Sequence, residues 1–325
     1  MNPENMSLYE RWQTVVLRSD DQGNSWRRVK EGFMLPAESL AWSLKPYFHG
    51  SDEVWATGMP DQPVENDEAS LGLYYSADRG ATTEAVKLGG PLLVNLAFAR
   101  TQAPADASFG DYNGNEGRWV SHIVQSDASH ARIWVSQSFL YGPADGPYLN
   151  TPLWFTFVAD LLRENGHWQM QPPKRIDGLY IDQLQDNGAG RVIAVISQKG
   201  ENTEKVAELS ADGLHWKVTG ELPSPFSPLR ANTGLGDFKV GRNVLLANTT
   251  SDYQAPRWLS HGSEPATISA DSVYYSTDWG ASWSRLAIGG YLGMLGFDGA
   301  TDRVFWAQGN WYESHDLAVY SDQLH

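Results

Sequence analysis

The stretch STDWGASW at residues 276–283 decides the fold of this chain, because its pattern S-x-D-x-G-x-S-W recurs as SDDQGNSW at residues 19–26. Residues 76–83, SADRGATT, keep the pattern except for the Trp, and residues 210–216, SADGLHW, carry it shortened by one residue. A motif that returns along a chain indicates a repeated structural unit. The sequence therefore predicts one supersecondary unit built several times.

The chemistry of the motif explains its spacing. The Asp carboxylate accepts backbone N–H groups of the turn that follows, and the Gly takes a positive φ without steric cost. A short β-rich run precedes each copy, so each copy is expected to join two strands of a hairpin, with Trp26, Trp216 and Trp283 buried against it. The residues given this structural role are Ser19, Asp21, Gly23, Trp26, Ser76, Asp78, Gly80, Asp212, Trp216, Ser276, Asp278, Gly280 and Trp283.

The motif and its repetition resemble the Asp-box (BNR repeat) β-propellers. That group includes sialidases, other glycoside-processing enzymes, photosystem assembly factors and non-enzymatic binding proteins. The resemblance implies that each box lies at the turn between strands 3 and 4 of a blade, away from the usual binding face. The Asp residues of the boxes are therefore interpreted as structural rather than catalytic.

Composition agrees with this fold. The chain has 31 Gly, 17 Pro and 14 Trp among 325 residues and no long helical periodicity, and no Pro/Ser-rich linker divides it. We expect an all-β fold in a single domain, residues 1–325, forming one β-propeller of about six four-stranded blades. The N-terminal segment, Gln13–Val29, is expected to close the ring by pairing with strands near Leu317–Tyr320, which removes exposed edges.

The net charge and the absence of cysteine limit the partners and the chemistry expected of this protein. The formal net charge of −15 argues against nucleic acid and anionic membranes as partners and favours a protein with a basic surface. The chain has no Cys, which excludes disulfides and thiolate chemistry, and no apolar run approaches the roughly 20 residues of a membrane span. The start at Met1–Glu4, followed so soon by a strand, and the resemblance together favour a periplasmic or secreted protein whose leader has been removed.

Four enlarged connections are expected on the face opposite the boxes, where long loops on a rigid scaffold usually bind. They are residues 58–72, 137–152, 248–271 and 309–316. Their aromatic and charged residues suit a protein interface, since Tyr and Trp are favoured anchors there. The predicted partner-binding residues are Asp61, Glu65, Asp67, Glu68, Tyr141, Tyr148, Tyr253, Arg257, Trp258, Trp311, Tyr312 and His315.

A sialidase-type site would require three converging Arg, an acid/base Asp and a Tyr nucleophile paired with Glu. The signature [F/Y]-R-I-P of that family is missing: Trp134 follows the pair Arg132–Ile133, and Asp177 follows Arg175–Ile176. Arg230, Arg257, Tyr312 and Glu313 carry suitable chemistry, but no motif orders them. No catalytic residue is therefore predicted.

A weak calcium candidate is the segment around Asp111, Asn113 and Asn115, whose side-chain oxygens recur at alternate positions. The Gly expected after Asn115 is displaced to Gly117, so the match is partial. No HExxH pair is present, and no metal or other cofactor is predicted.

These patterns favour a non-enzymatic propeller that binds another protein. One version is an immunity or inhibitor protein that neutralises a secreted bacterial toxin or hydrolase by occluding it. The alternatives are a sialidase-like glycoside hydrolase and an assembly factor, and the sequence does not name the partner.

Overall fold

A computed structural model describes residues 17–18, 27–28, 45–49, 52–58, 71–78, 82–109, 118–143, 151–187, 189–201, 203–210, 212–223, 235–249, 273–286, 291–310 and 313–324. These residues form strands throughout, with one six-residue helix. The all-β prediction is confirmed. No helix in the described part of the chain is long and apolar enough to cross a membrane.

The chain divides into two compact units, Met1–Gly178 and Leu179–His325, and each is described by itself. The predictions of a single domain and of a closed six-bladed ring stay predictions. The first unit holds β1 Leu17–Arg18, β2 Arg27–Arg28, β3 Lys45–His49, β4 Glu53–Gly58, β5 Gly72–Ser76, β6 Glu84–Ala85, α1 Leu96–Thr101, β7 Ala107–Phe109, β8 Arg118–Gln125, β9 His130–Pro143, β10 Thr151–Glu164, β11 His167–Met170 and β12 Lys174–Asp177.

Sheets of the first unit are antiparallel. Strands β3-β4-β5-β6 form a four-stranded sheet in sequence order, and β1 pairs with β2. The larger sheet is built on β9 and β10, which pair from Tyr141↔Thr151 to His130↔Leu162. The outer edge of β9 pairs with β7 and β8, and the outer edge of β10 pairs with β11 and β12. The sequence order of β3-β4-β5-β6 is what short hairpin connections produce.

The second unit repeats the simpler pattern. Strands β13-β14-β15-β16 and β17-β18-β19-β20 form two four-stranded antiparallel sheets, and β21-β22-β23 form a three-stranded one. A β-bulge interrupts β13 between Ile181 and Gln183. The bounds are β13 Leu179–Asp186, β14 Val192–Gln198, β15 Lys205–Leu209, β16 Trp216–Glu221, β17 Leu235–Val240, β18 Leu245–Thr249, β19 Val273–Ser276, β20 Ser284–Leu286, β21 Tyr291–Asp298, β22 Arg303–Asn310 and β23 Glu313–Gln323.

Within each unit a Gln side chain joins backbone segments that are far apart in sequence. In the first unit Gln137 accepts from the Val94 N–H at 2.8 Å and donates to the Val94 carbonyl at 2.9 Å. In the second, Gln185 on β13 donates to the Phe238 carbonyl at 2.8 Å and accepts from the Val240 N–H at 3.1 Å. Because the amide satisfies both a donor and an acceptor, it holds the neighbouring chain in register without leaving buried groups unpaired.

The four motif segments each lie between two paired antiparallel strands: β1–β2, β5–β6, β15–β16 and β19–β20. In the last of these, Asp278 accepts from the Ser276 hydroxyl at 2.8 Å and from the N–H and hydroxyl of Ser282 at 2.8 and 2.6 Å. Asp78 accepts the equivalent bonds from Ser76 and Thr82. The carboxylate thereby closes the turn, which is a structural role. Ser19, Asp21, Gly23, Trp26 and Gly80 lie outside the described residues.

Gly280 shows why this turn requires glycine. Its φ is +93°, and a Cβ there would lie 2.9 Å from the Cβ of Val206 on β15. Trp279 lies beside it with its ring 3.9 Å from the Arg191 guanidinium, and the Trp283 Nε1 donates to the Glu221 carbonyl at 2.9 Å. Thus this turn packs onto the preceding sheet of the same unit.

The two motif tryptophans that the structure describes are intermediate in burial rather than fully enclosed. Trp216 and Trp283 are only partly buried. Trp283 lies at the periphery of the core cluster that Val195, Val206 and Phe238 form.

Candidate functional site

The two ends of each sheet differ in construction. The motif turns close one end, and the connections between the second and third strands lie at the other. These connections span residues 59–71 between β4 and β5, 144–150 between β9 and β10, 199–204 between β14 and β15, and 250–272 between β18 and β19. We call this the connection end of each sheet.

The structure contradicts the predicted bounds of two of the four enlarged connections, 309–316 and 137–152. Strands β22 and β23 pair as far as Asn310↔Glu313, so only residues 311–312 separate them and the enlarged connection predicted at 309–316 is wrong. His315 accordingly belongs to β23. Likewise Tyr141 pairs with Thr151 within the sheet, and its ring packs against Phe109 at 5.8 Å. In both segments the backbone pairing of the two strands extends into residues that were expected to form the connection.

Most predicted site residues lie outside the described residues. Their partner-binding role stays a prediction, as does the calcium candidate. They are Asp61, Glu65, Asp67, Glu68, Tyr148, Tyr253, Arg257, Trp258, Trp311 and Tyr312, with Asp111, Asn113 and Asn115 for calcium. Among the residues that the structure does describe, no three His, Asp or Glu side chains gather to hold a metal ion.

A pair of carboxyl groups, Asp182 and Glu204, lies at the connection end of the first sheet of the second unit. Asp182 sits on the first strand at the β13 bulge, and Glu204 immediately precedes the third strand, β15. The Glu204 carbonyl accepts from the Leu222 N–H at 3.0 Å, which fixes the backbone. Glu204 stands two residues before Val206, so strand alternation directs its side chain toward the core that Val206 and Leu222 share.

The environment of Glu204 is unusual for a carboxyl group. The residue is 8% exposed, and no described residue donates a hydrogen bond to its carboxyl oxygens. Burial, reinforced by the negative charge of Asp182, raises the pKa of Glu204 to about 8. At neutral pH Glu204 is therefore mostly a neutral carboxylic acid beside a second carboxyl group. Such a group can give up a proton, which an ordinary surface Glu at this pH cannot do.

The first unit contains a Tyr–Glu pair that invites comparison with a sialidase nucleophile. The Tyr75 hydroxyl donates to Glu53, whose other oxygen accepts from Gln125 at 2.8 Å. Tyr75 is 2% exposed and packs against Trp55 and Trp168. Burial, followed by Glu53, raises the pKa of Tyr75 to about 12, whereas a nucleophilic Tyr needs a base that makes its oxygen more reactive. This pair is interpreted as a buried structural contact.

Sequence reasoning missed the Asp182–Glu204 pair and offered instead residues of the longer connections. No short motif joins two residues on the first and third strands of a sheet. The available signal is Glu204 itself, a Glu immediately before β15 at a position that strand alternation directs inward.

No protein-family model matches the chain, and no curated protein matches it. Similar folds are found among solved structures. A PL25 ulvan lyase bound to a disaccharide has a TM-score of 0.43 and 10% identity over 91% of this chain and 66% of its own. An oligogalacturonate lyase in complex with manganese has a TM-score of 0.44 and 8% identity over 87% of this chain and 66% of its own.

A mutant of the Trypanosoma rangeli sialidase that displays trans-sialidase activity has a TM-score of 0.38 and 14% identity. That match covers 82% of this chain and 43% of the sialidase. The chain thus spans less than two thirds of the length of each of these three enzymes. At such scores the likenesses assign neither a family nor an activity to this chain.

Proposed function

We propose that this protein cleaves glycosidic bonds and that Glu204 is its general acid, with Asp182 as the second carboxyl group of the site. The observation that carries the proposal is Glu204 itself: buried, without a hydrogen-bond donor among the described residues, and protonated near neutrality beside Asp182. A carboxyl group that its environment keeps protonated, beside a second carboxyl group, is a common arrangement in glycosidases. The substrate class comes from the Asp-box resemblance, whose members include sialidases and other glycoside-processing enzymes.

Glu204 gives its proton to the glycosidic oxygen as the bond to the anomeric carbon breaks, and the leaving sugar departs as an alcohol. Asp182 stabilises the positive charge that develops at the anomeric carbon. Water adds to that carbon, and the proton released from the water returns to the carboxyl pair. No metal or redox cofactor is needed for this sequence of steps.

The test is turnover of 4-methylumbelliferyl glycosides by wild-type protein and by Glu204→Gln. The amide keeps the size of the side chain but cannot supply a proton, so the rate should fall by roughly 10²–10⁴-fold. Glu201→Gln is the matched control, because Glu201 lies in the same connection, is exposed, and lies 3.5 Å from Lys205 in an ion pair. Equal turnover by wild-type and Glu204→Gln protein contradicts the proposal.

A non-enzymatic protein binder is the second candidate. It is favoured by the long connections at 59–71 and 250–272, bounded by described strands, and by the net charge of −15. In this version a basic partner, such as a secreted toxin or hydrolase, contacts the acidic and aromatic residues of those connections. Surface plasmon resonance with a purified basic partner should then show weaker binding by Trp258→Ala and slower association by Asp67→Lys, with Glu204→Gln unaffected.

We also propose that residues 1–325 form a single domain, a closed ring of about six blades. The proposed location of the protein is periplasmic or secreted. The ring is supported by the three four-stranded antiparallel sheets among the described residues, one in the first unit and two in the second. Small-angle scattering of the purified protein distinguishes a compact ring from two loosely joined units.

A further inference from the structure

Trp279, in the box turn between β19 and β20, has a backbone conformation that bulky residues rarely adopt. Its φ is +61°, in the left-handed region. Gly takes such an angle without steric cost, whereas a bulky residue is strained there and stays only where its surroundings hold it. The Trp279 side chain must therefore make contacts that offset the strain of its own backbone.

The main contact of the Trp279 ring is with Arg191, which immediately precedes β14. The Arg191 guanidinium lies 3.9 Å from the centroid of the ring, and a cation over an indole face is attracted by the charge distribution of the π system. The ring also packs at the edge of the core cluster that contains Val206. Trp279 is thus held by side chains of the preceding sheet, β13-β14-β15-β16.

Arg191 is itself fixed in position. Its Nε and Nη2 donate to the two carboxylate oxygens of Glu208 on β15 at 2.9 and 2.7 Å. Its backbone N–H donates to the Asn187 side chain at 3.1 Å, which fixes the turn between β13 and β14. A bidentate pair sets the plane of the guanidinium, so the face that stacks on Trp279 is pre-oriented.

The backbone beside Trp279 lies close against the same sheet. A Cβ on Gly220 of β16 would lie 1.8 Å from the Gly280 carbonyl oxygen, and the Trp283 Nε1 donates to the Glu221 carbonyl at 2.9 Å. Packed contacts of this kind are made or lost together, because such interfaces do not deform continuously. The turn therefore has two states, docked on the sheet and released from it.

We propose that the box turn at residues 276–283 is a strained strap, which the stack of Trp279 on Arg191 holds on the preceding sheet and which opens locally when that stack is lost. Glu208 is the anchor of the stack. The released turn keeps its own shape, since the bonds that Asp278 accepts from Ser276 and Ser282 lie within it. The strap is independent of the proposed glycosidase function.

Hydrogen exchange of the full chain, measured by mass spectrometry over residues 273–286, tests the strap, since exchange reports local opening. Arg191→Met and Glu208→Gln should each speed exchange of this segment by about two- to fivefold, which corresponds to a partly exposed cation–π contact. Trp279→Leu should speed it more than Trp279→Gly. Leu keeps the backbone strain without the stack, whereas Gly removes the strain as well.

Glu221→Gln is the matched control, because Glu221 pairs with Lys205 on the same sheet, and it should leave the exchange rate of the segment unchanged. Combining Arg191→Met with Trp279→Leu should add less than about twofold to the larger single effect, because both changes remove one contact. Effects that multiply overturn the proposal, as does exchange at the wild-type rate in Glu208→Gln, the conservative variant if Arg191→Met does not fold. Faster exchange with Gly than with Leu at position 279 overturns the strain.

Discussion

Two carboxyl groups flank strand β15, Glu204 before it and Asp212 in the turn after it, and their environments are opposite. Asp212, in the turn that follows β15, is exposed and accepts from the Leu214 N–H at 3.0 Å, from Ser210 and from His215 at 2.8 Å. These bonds, with that from Ser210 first, lower the pKa of Asp212. Glu204, before β15, is buried and its pKa is raised to about 8.

Carboxyl groups at the two ends of this sheet have different roles, one structural and one chemical. At the motif end, hydrogen-bond donors surround the carboxylate and stabilise its charge, so it closes the turn and has no proton to give. At the connection end, no described donor stabilises the charge, so the proton stays on. Side chains of the same chemical class thus differ in role because of the backbone groups around them.

The largest expected effect is on catalysis. Glu204→Gln should lower kcat by roughly 10²–10⁴-fold through loss of the proton donor, whereas Asp212→Asn should leave kcat within about twofold of wild type. Steady-state kinetics with the best 4-methylumbelliferyl substrate measure both. A large loss in the Asp212 variant, with its fold intact by circular dichroism, would reverse the roles assigned to the two ends.

The pH dependence of stability should reveal the buried proton. Because the folded state raises the pKa of Glu204 from 4.5 to about 8, its contribution is fully present below about pH 4.5 and is lost as the pH rises through about 8. The loss is on the order of 3–5 kcal/mol at one pKa unit per 1.36 kcal/mol. Urea unfolding at about pH 4.5 and about pH 8.5 should therefore show a larger decrease for wild type than for Glu204→Gln, in which this group does not titrate. Parallel decreases in both proteins would show that Glu204 titrates normally.

Much of the fold could be predicted from the repeated motif, since a box turn between two β-rich runs specifies a hairpin locally. The hairpins whose turns contain Asp78, Asp212 and Asp278 follow from that information. The strand ends around Tyr141 and His315 were mispredicted, because Gly, Pro and aromatic residues are as compatible with a paired strand end as with a loop.

The candidate site could not be predicted because it depends on contacts between distant strands. Strand β15 contains Glu208 as well as following Glu204, and simple alternation gives both the same face. Glu208 pairs with Arg191 while Glu204 is buried, a difference that alternation along β15 does not predict. A bulge on β13 sets the position of Asp182. Such irregularities arise from tertiary packing rather than from a local sequence pattern.

A fully buried Trp and a partly buried Trp should differ in how much each contributes to the free energy of unfolding. Trp168, 2% exposed in the first unit, should cost about 3–5 kcal/mol when replaced by Ala, as for other buried aromatics. Trp283 is partly buried and donates one hydrogen bond to the Glu221 carbonyl, so Trp283→Ala should cost less than about 3 kcal/mol, the lower end of the range for a buried aromatic. Denaturant unfolding of both variants measures the difference. An equal or larger cost for Trp283 would mean that its ring is more buried in solution.

The smallest expected effect belongs to Asp278, a turn carboxylate that accepts three hydrogen bonds. Asp278→Ala removes the bonds that Ser276 and Ser282 donate, which should cost about 1 kcal/mol, the range for a lost capping side chain. Those bonds, with that from the Ser282 hydroxyl first, lower the pKa of Asp278, so its contribution is present above the ordinary range of Asp and is lost as the pH falls. The cost of Asp278→Ala should therefore shrink in acid, opposite in direction to the effect of Glu204. Turnover should stay at the wild-type level, because the turn lies at the motif end of its sheet. A folded Asp278→Ala protein without activity would show instead that the motif end takes part in function.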